Sequence, residues 1–464
     1  MLLLLYFIIN IGVIYGFLNF NFGSTLHANH KDINEKIVLK LPFKERTIVN
    51  QINGFYGLIG PNVDMNSNID CLYELFTGDG IIQGVFFDNG NLTFVKHLIK
   101  TEKVLYEEKN GKISTNIFVT IFLLFLNKIK LFPNVMGMAN TAILNVNNNN
   151  YALFERDHPY LLDINLKKNY VNTIKKIEIP DFEHFSGHSK INNNGNLETI
   201  DYKILNNRVQ YYLLNSSFNT IDKAEFCFKY TPIIHDFYSN DNLLILIDSP
   251  LIYKIENIFT KKIPIDLNYD KETYIYVYDK KTKTVETYPY ETGFYIFHYA
   301  FIKDKEETIE IYASQYDKLD FTNINIKGSY RMIEINKKTK KVTIHRDEIL
   351  EKYNLDFPIL FQDKVISRNF ENRRINGFII TKDLTIYKEL FYEDKYICGE
   401  HNIMFLKKTP YLIFFNIEIN KKTQKKIYLL SLVNLYNYKI INIEINHNMN
   451  LGFHSIFIPN SLSN

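Results

Sequence analysis

Tryptophan is absent from this chain, cysteine occurs three times and proline only twelve times in 464 residues. Cys71, Cys227 and Cys398 are too few for a disulfide framework and show no CxxC spacing, so buried free thiols are the expectation. Neither sign of charge is in excess: 54 basic against 51 acidic residues leave a net charge of +3. Such a balance projects no long-range field onto phosphate backbones, which excludes nucleic acid as the expected partner. The body of the chain also lacks a bilayer-length apolar run, since the ten nearly uninterrupted apolar residues at 117–126 are too few to span. The abundance of Lys, Asn, Ile, Tyr and Phe is a skew of the kind AT-rich coding sequence produces. Any single departure from a pattern therefore carries little weight.

Three segments organise the chain. Residues 1–20, MLLLLYFIINIGVIYGFLNF, are apolar except for Asn10 but have no basic start, and are expected to be a signal peptide or membrane anchor that routes the chain to the secretory pathway. Residues 21–49 read as an N-terminal linker and first segment, and residues 50–464 as one large domain. From about residue 50 onward, short apolar, aromatic and β-branched runs alternate with turn clusters, which is the all-β signature. Examples are IIQGVFF, YALFE, LLILID, YIYVYD and LIFFNIEI. Three stretches, 274–288, 330–345 and 414–430, share a strand, a Lys-Thr-rich turn and a returning strand, as expected of a hairpin repeated in successive units. A β-propeller accounts for repeated hairpins around a shared axis. The Asn clusters at 145–150 and 192–195 read as turns tolerant of positive φ.

Four histidines stand out by their surroundings: FSGHSK around His188, PIIHDF around His235, YIFHYA around His298 and LGFHSI around His454. A lone histidine in an apolar strand is ordinarily a core residue bonded to a carbonyl. These four lie far apart in sequence, and only a closed ring would bring them to one axis. Four neutral imidazoles without a thiolate make a site for a first-row divalent metal. The other eight histidines, His184 and His447 among them, lack such contexts, and strand-like surroundings argue against a helical His184/His188 pair.

The order of these segments resembles the carotenoid cleavage oxygenases, a non-haem iron family. GFYGLIGPN at 54–62 is similar to the family's segment ending in G-P-N, ELFTGDGIIQGVFF at 74–87 to its F-D-G-D-G-M stretch, and GMANTAILNVNNNNYALFERDHPYLLDI at 137–164 to its G-x-A-N-x segment and following hairpin. The resemblance covers residues ~50 to 460. It implies a seven-bladed β-propeller with a helical and loop cap over the iron-bearing face, and Fe(II) held by His188, His235, His298 and His454. It also implies three carboxylates that accept the histidines' other ring N–H. Glu155 and Glu400 match two of these, and Asp356 stands where the family has Glu, one methylene shorter. The fourth histidine is expected to have no carboxylate, and Thr141 is matched to the residue beside the open iron position.

The activity so implied is dioxygenase cleavage of a conjugated carbon–carbon double bond of a carotenoid or apocarotenoid, with O2 and a lipophilic polyene as partners and no external reductant. Stilbene cleavage, retinoid isomerisation and a catalytically inactive binding propeller are the alternatives. The chain departs from the family at Leu58 and Ile59, at Thr77, at Phe301 and Ile302, and after Glu400, where E-D-D-G is missing. These positions read as scaffold or loop supports. Phe237, Phe297 and Phe453, each next to a matched histidine, are candidates to wall the cavity. Residues 117–132, in which the apolar run 117–126 is followed by Lys128 and Lys130, are expected to make peripheral membrane contact at the tunnel mouth rather than a core helix.

Overall fold

The computed structural model describes residues 34–460 apart from 40–47, 64–74, 114–116, 134, 136, 156, 181, 183, 184, 204, 205, 255–264, 320–325, 373, 421 and 424. The expectations for residues 1–20, Cys71 and His184 lie outside the described residues. Cys398 is buried as expected, whereas Cys227 is exposed. It ends a blade's outermost strand, Thr220–Cys227, where residues alternate between neighbour and solvent.

Antiparallel strands form seven blades. Blade 2 runs from Ala142–Val146 to Tyr170–Lys176 and blade 3 from Lys190–Ile191 to Thr220–Cys227. Blade 4 runs from Tyr238–Ser239 to Thr284–Tyr290, blade 5 from Tyr295–Asp304 to Val342–His345, and blade 6 from Leu355–Phe361 to Thr385–Phe391. In blade 7, Lys395–Ile397 and Asn402–Leu406 both pair with Thr409–Ile419, followed outward by Lys426–Asn434 and Ile440–Ile445. Blade 1 closes the ring. The C-terminal strand Ser455–Pro459 pairs with Gly54–Pro61 from Leu58↔Ser455 to Gly54↔Pro459, while Asn34–Leu39 forms the opposite edge. The first and last described strands therefore share one sheet, which leaves no open seam in the ring.

The core lies between blades, and the sequence shows why. In LLILID, Leu243, Ile245 and Ile247 pack toward blade 5 with Ile309, Ile311 and Ile333, while Leu244 and Leu246 pack toward blade 3 with Val209, Tyr211 and Phe226. Both faces of such a strand are covered, so it reads as an unbroken apolar run rather than an alternation.

The outer turns use side-chain oxygens to replace backbone partners. Asp279 Oδ1 accepts from Lys281 N and Thr282 N at 2.8 Å each, and Asn336 Oδ1 from Lys338 N and Thr339 N at 3.1 and 2.8 Å. Asn420 Oδ1 does the same with Lys422 N and Thr423 N at 3.0 Å each. The repeated Lys-Thr-rich words are thus repeats of an Asx turn. They do not mark one position in successive blades: the first two join the outer strands of blades 4 and 5, the third the middle strands of blade 7. The Asn cluster at 145–150 is a two-residue hairpin turn with Asn147 and Asn148 both at positive φ.

Among the described residues, two helices follow the strands of blade 1. Helix α1, Glu102–Asn110, is capped by Thr101, whose hydroxyl accepts from Val104 N, and its buried Lys103 pairs with Asp79 Oδ1 at 2.6 Å and Glu107 Oε1 at 2.9 Å. Helix α2, Ile117–Lys128, leads toward Asn140 and the first strand of blade 2. Asn140 Nδ2 donates to Gly78 O at 2.7 Å, which ties that entry to the TGDG turn of blade 1.

Candidate metal centre

One rule of the fold gathers the candidate site residues: nearly all stand at the beginning of a blade's first strand. Thr141 precedes Ala142–Val146, His188 precedes Lys190–Ile191, His235 precedes Tyr238–Ser239 and His454 precedes Ser455–Pro459. His298 lies early in Tyr295–Asp304 and Asp356 in Leu355–Phe361, while Glu400 follows the short strand Lys395–Ile397. Glu155 follows Asn149–Leu153, whose end pairs with the start of Ala142–Val146 (Ala142↔Leu153). First strands of a propeller surround the axis, so these positions meet at one end of it.

The structure brings the four histidines together, with one ring nitrogen of each within 4.8 Å of all the others. His188 Nε2 and His235 Nε2 are 3.0 Å apart, and the rings of His188 and His454 are 4.5 Å apart, centroid to centroid. Two donors each about 2.1 Å from one ion and at right angles would stand about 3.0 Å apart. His298 Nε2 is buried and has no hydrogen-bond partner. A nitrogen so placed costs free energy unless something binds it, and a cation at the convergence point would do so. Four imidazoles suit Fe, Zn, Cu or Ni, and the group is able to hold a metal ion.

Behind three of the histidines stand carboxylates. Asp356 Oδ1 accepts from His298 Nδ1 at 2.9 Å, Glu400 Oε1 faces His454 Nδ1 at 3.2 Å, and Glu155 Oε1 lies against His235 Nδ1. His188 has no carboxylate on its ring among the described residues. Its backbone N–H donates to Ser186 Oγ at 3.1 Å, and Gly187 is wedged beside Thr141 and Glu155. A Cβ on Gly187 would stand 2.8 Å from Thr141 Cγ2 and 3.2 Å from Glu155 Cγ, so only glycine fits there. Thr141 is buried next to the site through this contact.

The shorter Asp356 reaches His298 directly. Both partners sit on irregular backbone: register shifts flank His298, between Ile296 and Tyr299, and Asp356, between Asp356 and Ile359. Such bulges re-aim side chains. Phe357, within the second bulge, has φ +53 and lays its ring 4.3 Å from His298 and 4.8 Å from His454. Tyr316 donates its hydroxyl to Asp356 Oδ2 at 2.7 Å.

Electrostatics follow this geometry. Burial opposes ionisation of Asp356, but His298, the Tyr316 hydroxyl and the Arg368 charge overcome it and hold its carboxyl at about 2. Glu400 is likewise lowered against burial by His454 and the Ser455 N–H. Burial and the three neighbouring imidazoles hold His188 well below the ordinary histidine value. Burial also lowers His454, whereas His235 is raised because Glu155 outweighs its burial. The lowered rings of His188 and His454 resist protonation, which keeps their lone pairs available for donation.

Sequence reasoning missed several supports. Asp236 links three histidine loops: it pairs with Lys190 at 2.6 Å, accepts from its neighbour Phe237 N at 2.8 Å, and accepts from Tyr299 N at 3.4 Å. The PIIHDF segment contains it, so the signal was present. Tyr295 accepts from His235 N at 3.2 Å. Tyr316 arrives from the second strand of blade 5 and Arg368 from the second strand of blade 6, and neither carries a local signal. Of the three phenylalanines, Phe297 packs against His235 at 5.2 Å and Phe453 against Phe76 at 6.0 Å. Phe237 instead points into the core between blades 3 and 4, as alternation along an extended segment dictates.

The departures from the family pattern fall on scaffold. Leu58 is fully buried between blades 1 and 7, and a Cβ on Gly452 would stand 2.2 Å from its Cγ. This close approach lets Phe453 N donate to Ile59 O, Ile59 N to His454 O and Glu400 N to Phe453 O at 2.7, 2.9 and 3.0 Å. Thr77 is buried beside Asp79, Phe301 stacks on Tyr312 with centroids 4.3 Å apart, and Ile302 packs against the core between blades 4 and 5.

Residues 32–373 match the profile of the retinal pigment epithelial membrane protein family. Among curated proteins, the chain is 25% identical over 229 residues to carotenoid 9,10(9',10')-cleavage dioxygenase 1 of Arabidopsis thaliana, covering 46% of this chain and 41% of the relative. It is 24% identical over 310 residues to the enzyme of that name from Pisum sativum, covering 62% and 56%. These matches span about half the length of the relatives. Among solved structures, cobalt-substituted apocarotenoid oxygenase of Synechocystis superposes with a TM-score of 0.73 at 15% identity, covering 94% of this chain and 98% of that one. Lignostilbene dioxygenase of Pseudomonas brassicacearum gives 0.72 at 15%, covering 96% and 99%. The structural likenesses establish the shared seven-bladed fold, and the profile match over most of the chain establishes that it belongs to the retinal pigment epithelial membrane protein family, the carotenoid cleavage oxygenases.

Proposed function

We propose that this protein is a non-haem Fe(II) dioxygenase that cleaves a conjugated carbon–carbon double bond of a carotenoid or apocarotenoid into two carbonyl products. The observation that carries the reading is the convergence of His188, His235, His298 and His454 with carboxylates behind three of them. The unpartnered His298 Nε2 and the 3.0 Å spacing of His188 and His235 fit a metal at this point. Bound Fe(II) supplies the one-electron chemistry through which O2 reacts. Glu155, Asp356 and Glu400 accept the Nδ1 protons of their histidines, which fixes the tautomer and turns the Nε2 lone pairs inward. Thr141, buried against Gly187, would flank the site where O2 or substrate enters. Phe297, Phe357 and Phe453 give the site apolar walls, which suit an uncharged polyene and keep water out. One double bond and one O2 yield two C=O groups, so the cleaved bond provides all the electrons and no external reductant enters.

Iron analysis of the purified full chain, then incubation with carotenoids, apocarotenoids and stilbenes under 18O2 with mass analysis of products, tests this reading. Labelled carotenoid-derived aldehydes or ketones are expected. Labelled products from stilbenes alone would assign the substrate preference named for the lignostilbene neighbour. A retinyl ester isomerised equally well under argon would assign an isomerase. A protein with neither iron nor product would be a binding propeller.

We also propose peripheral membrane contact through residues 117–132, with secretory routing by residues 1–20. Phe122 and Phe125 of α2 are half-buried, and Ile129 and Leu131 after it are 45% and 74% exposed, which favours a surface position over a core helix. No helix among the described residues is long and apolar enough to cross a membrane. Changing Phe122 and Phe125 to Ser in a chain lacking residues 1–20 is expected to release it from liposomes while iron content persists. Retained liposome binding would place the attachment elsewhere, and loss of iron would make the segment core.

A further inference from the structure

A guanidinium stands behind the carboxylates of this site. Arg368 lies on Lys364–Glu371, the second strand of blade 6, directly opposite Asp356 in the antiparallel register. Its guanidinium carbon is 3.3 Å from the centroid of the Phe357 ring, the ring that meets His298 and His454. The charges it feels are those of Asp356 and Glu400. Among the described residues it makes no hydrogen bond and no close ion pair, so no single acceptor claims it.

The charges at the centre explain why a cation is placed there. Four imidazoles are neutral ligands, and a divalent ion brings two positive charges against the three negative charges of Glu155, Asp356 and Glu400. One negative charge is left over in a buried cavity, where uncompensated charge is costly. The other nearby cationic groups do not offset it. Lys190 is paired with Asp236 at 2.6 Å, and burial lowers His401, next to Glu400, to about 4, which leaves it neutral. Arg368 provides one positive charge of the required sign on the side of the site where two of the three carboxylates stand.

We propose that Arg368 is the counter-charge of the metal centre, offsetting the third carboxylate and thereby limiting how tightly the histidines hold a divalent ion and how far they favour its trivalent state. The inference rests on the metal reading above. It makes Arg368 a positioning residue that acts through the field at the ion, and it predicts a direction opposite to that of ordinary packing damage. Removing a positive charge makes the cavity more negative, so a cation binds tighter.

The test is Co(II) titration of the metal-free full chain, read by its visible absorption, for the wild type and for Arg368→Met, Arg368→Gln and Arg368→Lys. Thermal melting of the metal-free proteins reports folding separately, and the midpoint potential of the iron-loaded proteins is measured alongside. Met and Gln are expected to tighten Co(II) on the order of 10-fold, as loss of one charge at intermediate range implies, and to lower the iron potential. Lys is expected to match the wild type. Weaker or unchanged Co(II) binding in the folded Met variant overturns the proposal, since that is the result of a residue that only packs on Phe357. Should Gln fail to fold, Met alone decides. A wild type that binds no Co(II) overturns the metal reading itself, whereas a wild type that binds with unresponsive variants overturns only the role of Arg368.

Discussion

His235, His298 and His454 each lean on a carboxylate, and among the described residues His188 leans on none. The braced rings receive negative charge and a fixed tautomer from Glu155, Asp356 and Glu400. His188 is held by its main chain: Ser186 Oγ anchors its N–H, and Gly187 is pressed against Thr141 and Glu155. The difference shows two ways of presenting a neutral imidazole. A carboxylate raises ligand basicity and tolerates small backbone movement, because the hydrogen bond follows the ring. A wedge fixes position without adding charge, so it is sensitive to a single methyl group. With three carboxylates the charge already exceeds that of a divalent ion, and a fourth would add repulsion.

The largest expected effect falls on both classes alike. Replacing any one of the four histidines by Ala should remove most bound iron and activity, measured by metal analysis and turnover. Full iron retention in two of the four variants would break the idea of one shared centre. The next step separates the classes. Glu155→Gln and Glu400→Gln keep shape and remove charge, and should each cost on the order of 10–100-fold in metal affinity or activity. Unchanged affinity and turnover in both would show that the carboxylates only pack.

The wedge is sharpened by a pair of changes at the unbraced histidine. Gly187→Ala places a Cβ 2.8 Å from Thr141 Cγ2, which forces the His188 loop to move. We expect about a 10-fold loss of metal affinity, comparable to the weaker end of a lost support. Thr141→Ser removes that methyl and should restore part of the loss in the double variant. Failure of the Ser change to restore any affinity would mean that Glu155 Cγ, 3.2 Å away, or the main chain is the obstacle.

The sequence revealed far more of the braced half than of the wedge. Four histidines in distinctive surroundings, and carboxylates in ALFERD, YNLDFP and CGEHNIMF, were readable because each sits at or near the end of a strand, within a short stretch of recognisable neighbours. The closing of blade 1 by Ser455–Pro459 could not be read, since strand pairing across the whole chain leaves no local pattern. The same reason hid Tyr316, which reaches Asp356 from the neighbouring blade, and Arg368, which stands opposite Asp356 in the register of blade 6. The Lys-Thr hairpins were visible, but their common cause is an Asx turn rather than a blade position, because side-chain capping needs only an Asp or Asn a few residues ahead. Leu58 and Phe301 depart from the family pattern and read as scaffold, and the structure packs both among apolar neighbours.

The smallest effect concerns the brace that differs from the family. Asp356 is one methylene shorter than Glu, and the bulge at Phe357 with the Tyr316 hydroxyl settles it against His298. Asp356→Glu should therefore be tolerated with little loss of metal, whereas gross unfolding would show that the bulge admits only the shorter side chain. Tyr316→Phe removes a hydrogen bond to a charged group, worth roughly 1.5–3 kcal/mol, and it has a signature in pH. The folded-state carboxyl of Asp356 is held at about 2, below its ordinary value. Its contribution to stability is thus present above about pH 4 and is lost as pH falls toward 2. Without the Tyr316 hydroxyl the folded value moves up toward the ordinary one, so less stability remains at neutral pH and less is left to lose in acid. Melting temperature of the metal-free protein against pH should show the variant below the wild type at pH 7, with the two converging as pH falls through about 2. A constant gap at every pH would mean that Tyr316 supports Phe297 by packing, at 4.8 Å between ring centroids, rather than Asp356 by its hydroxyl.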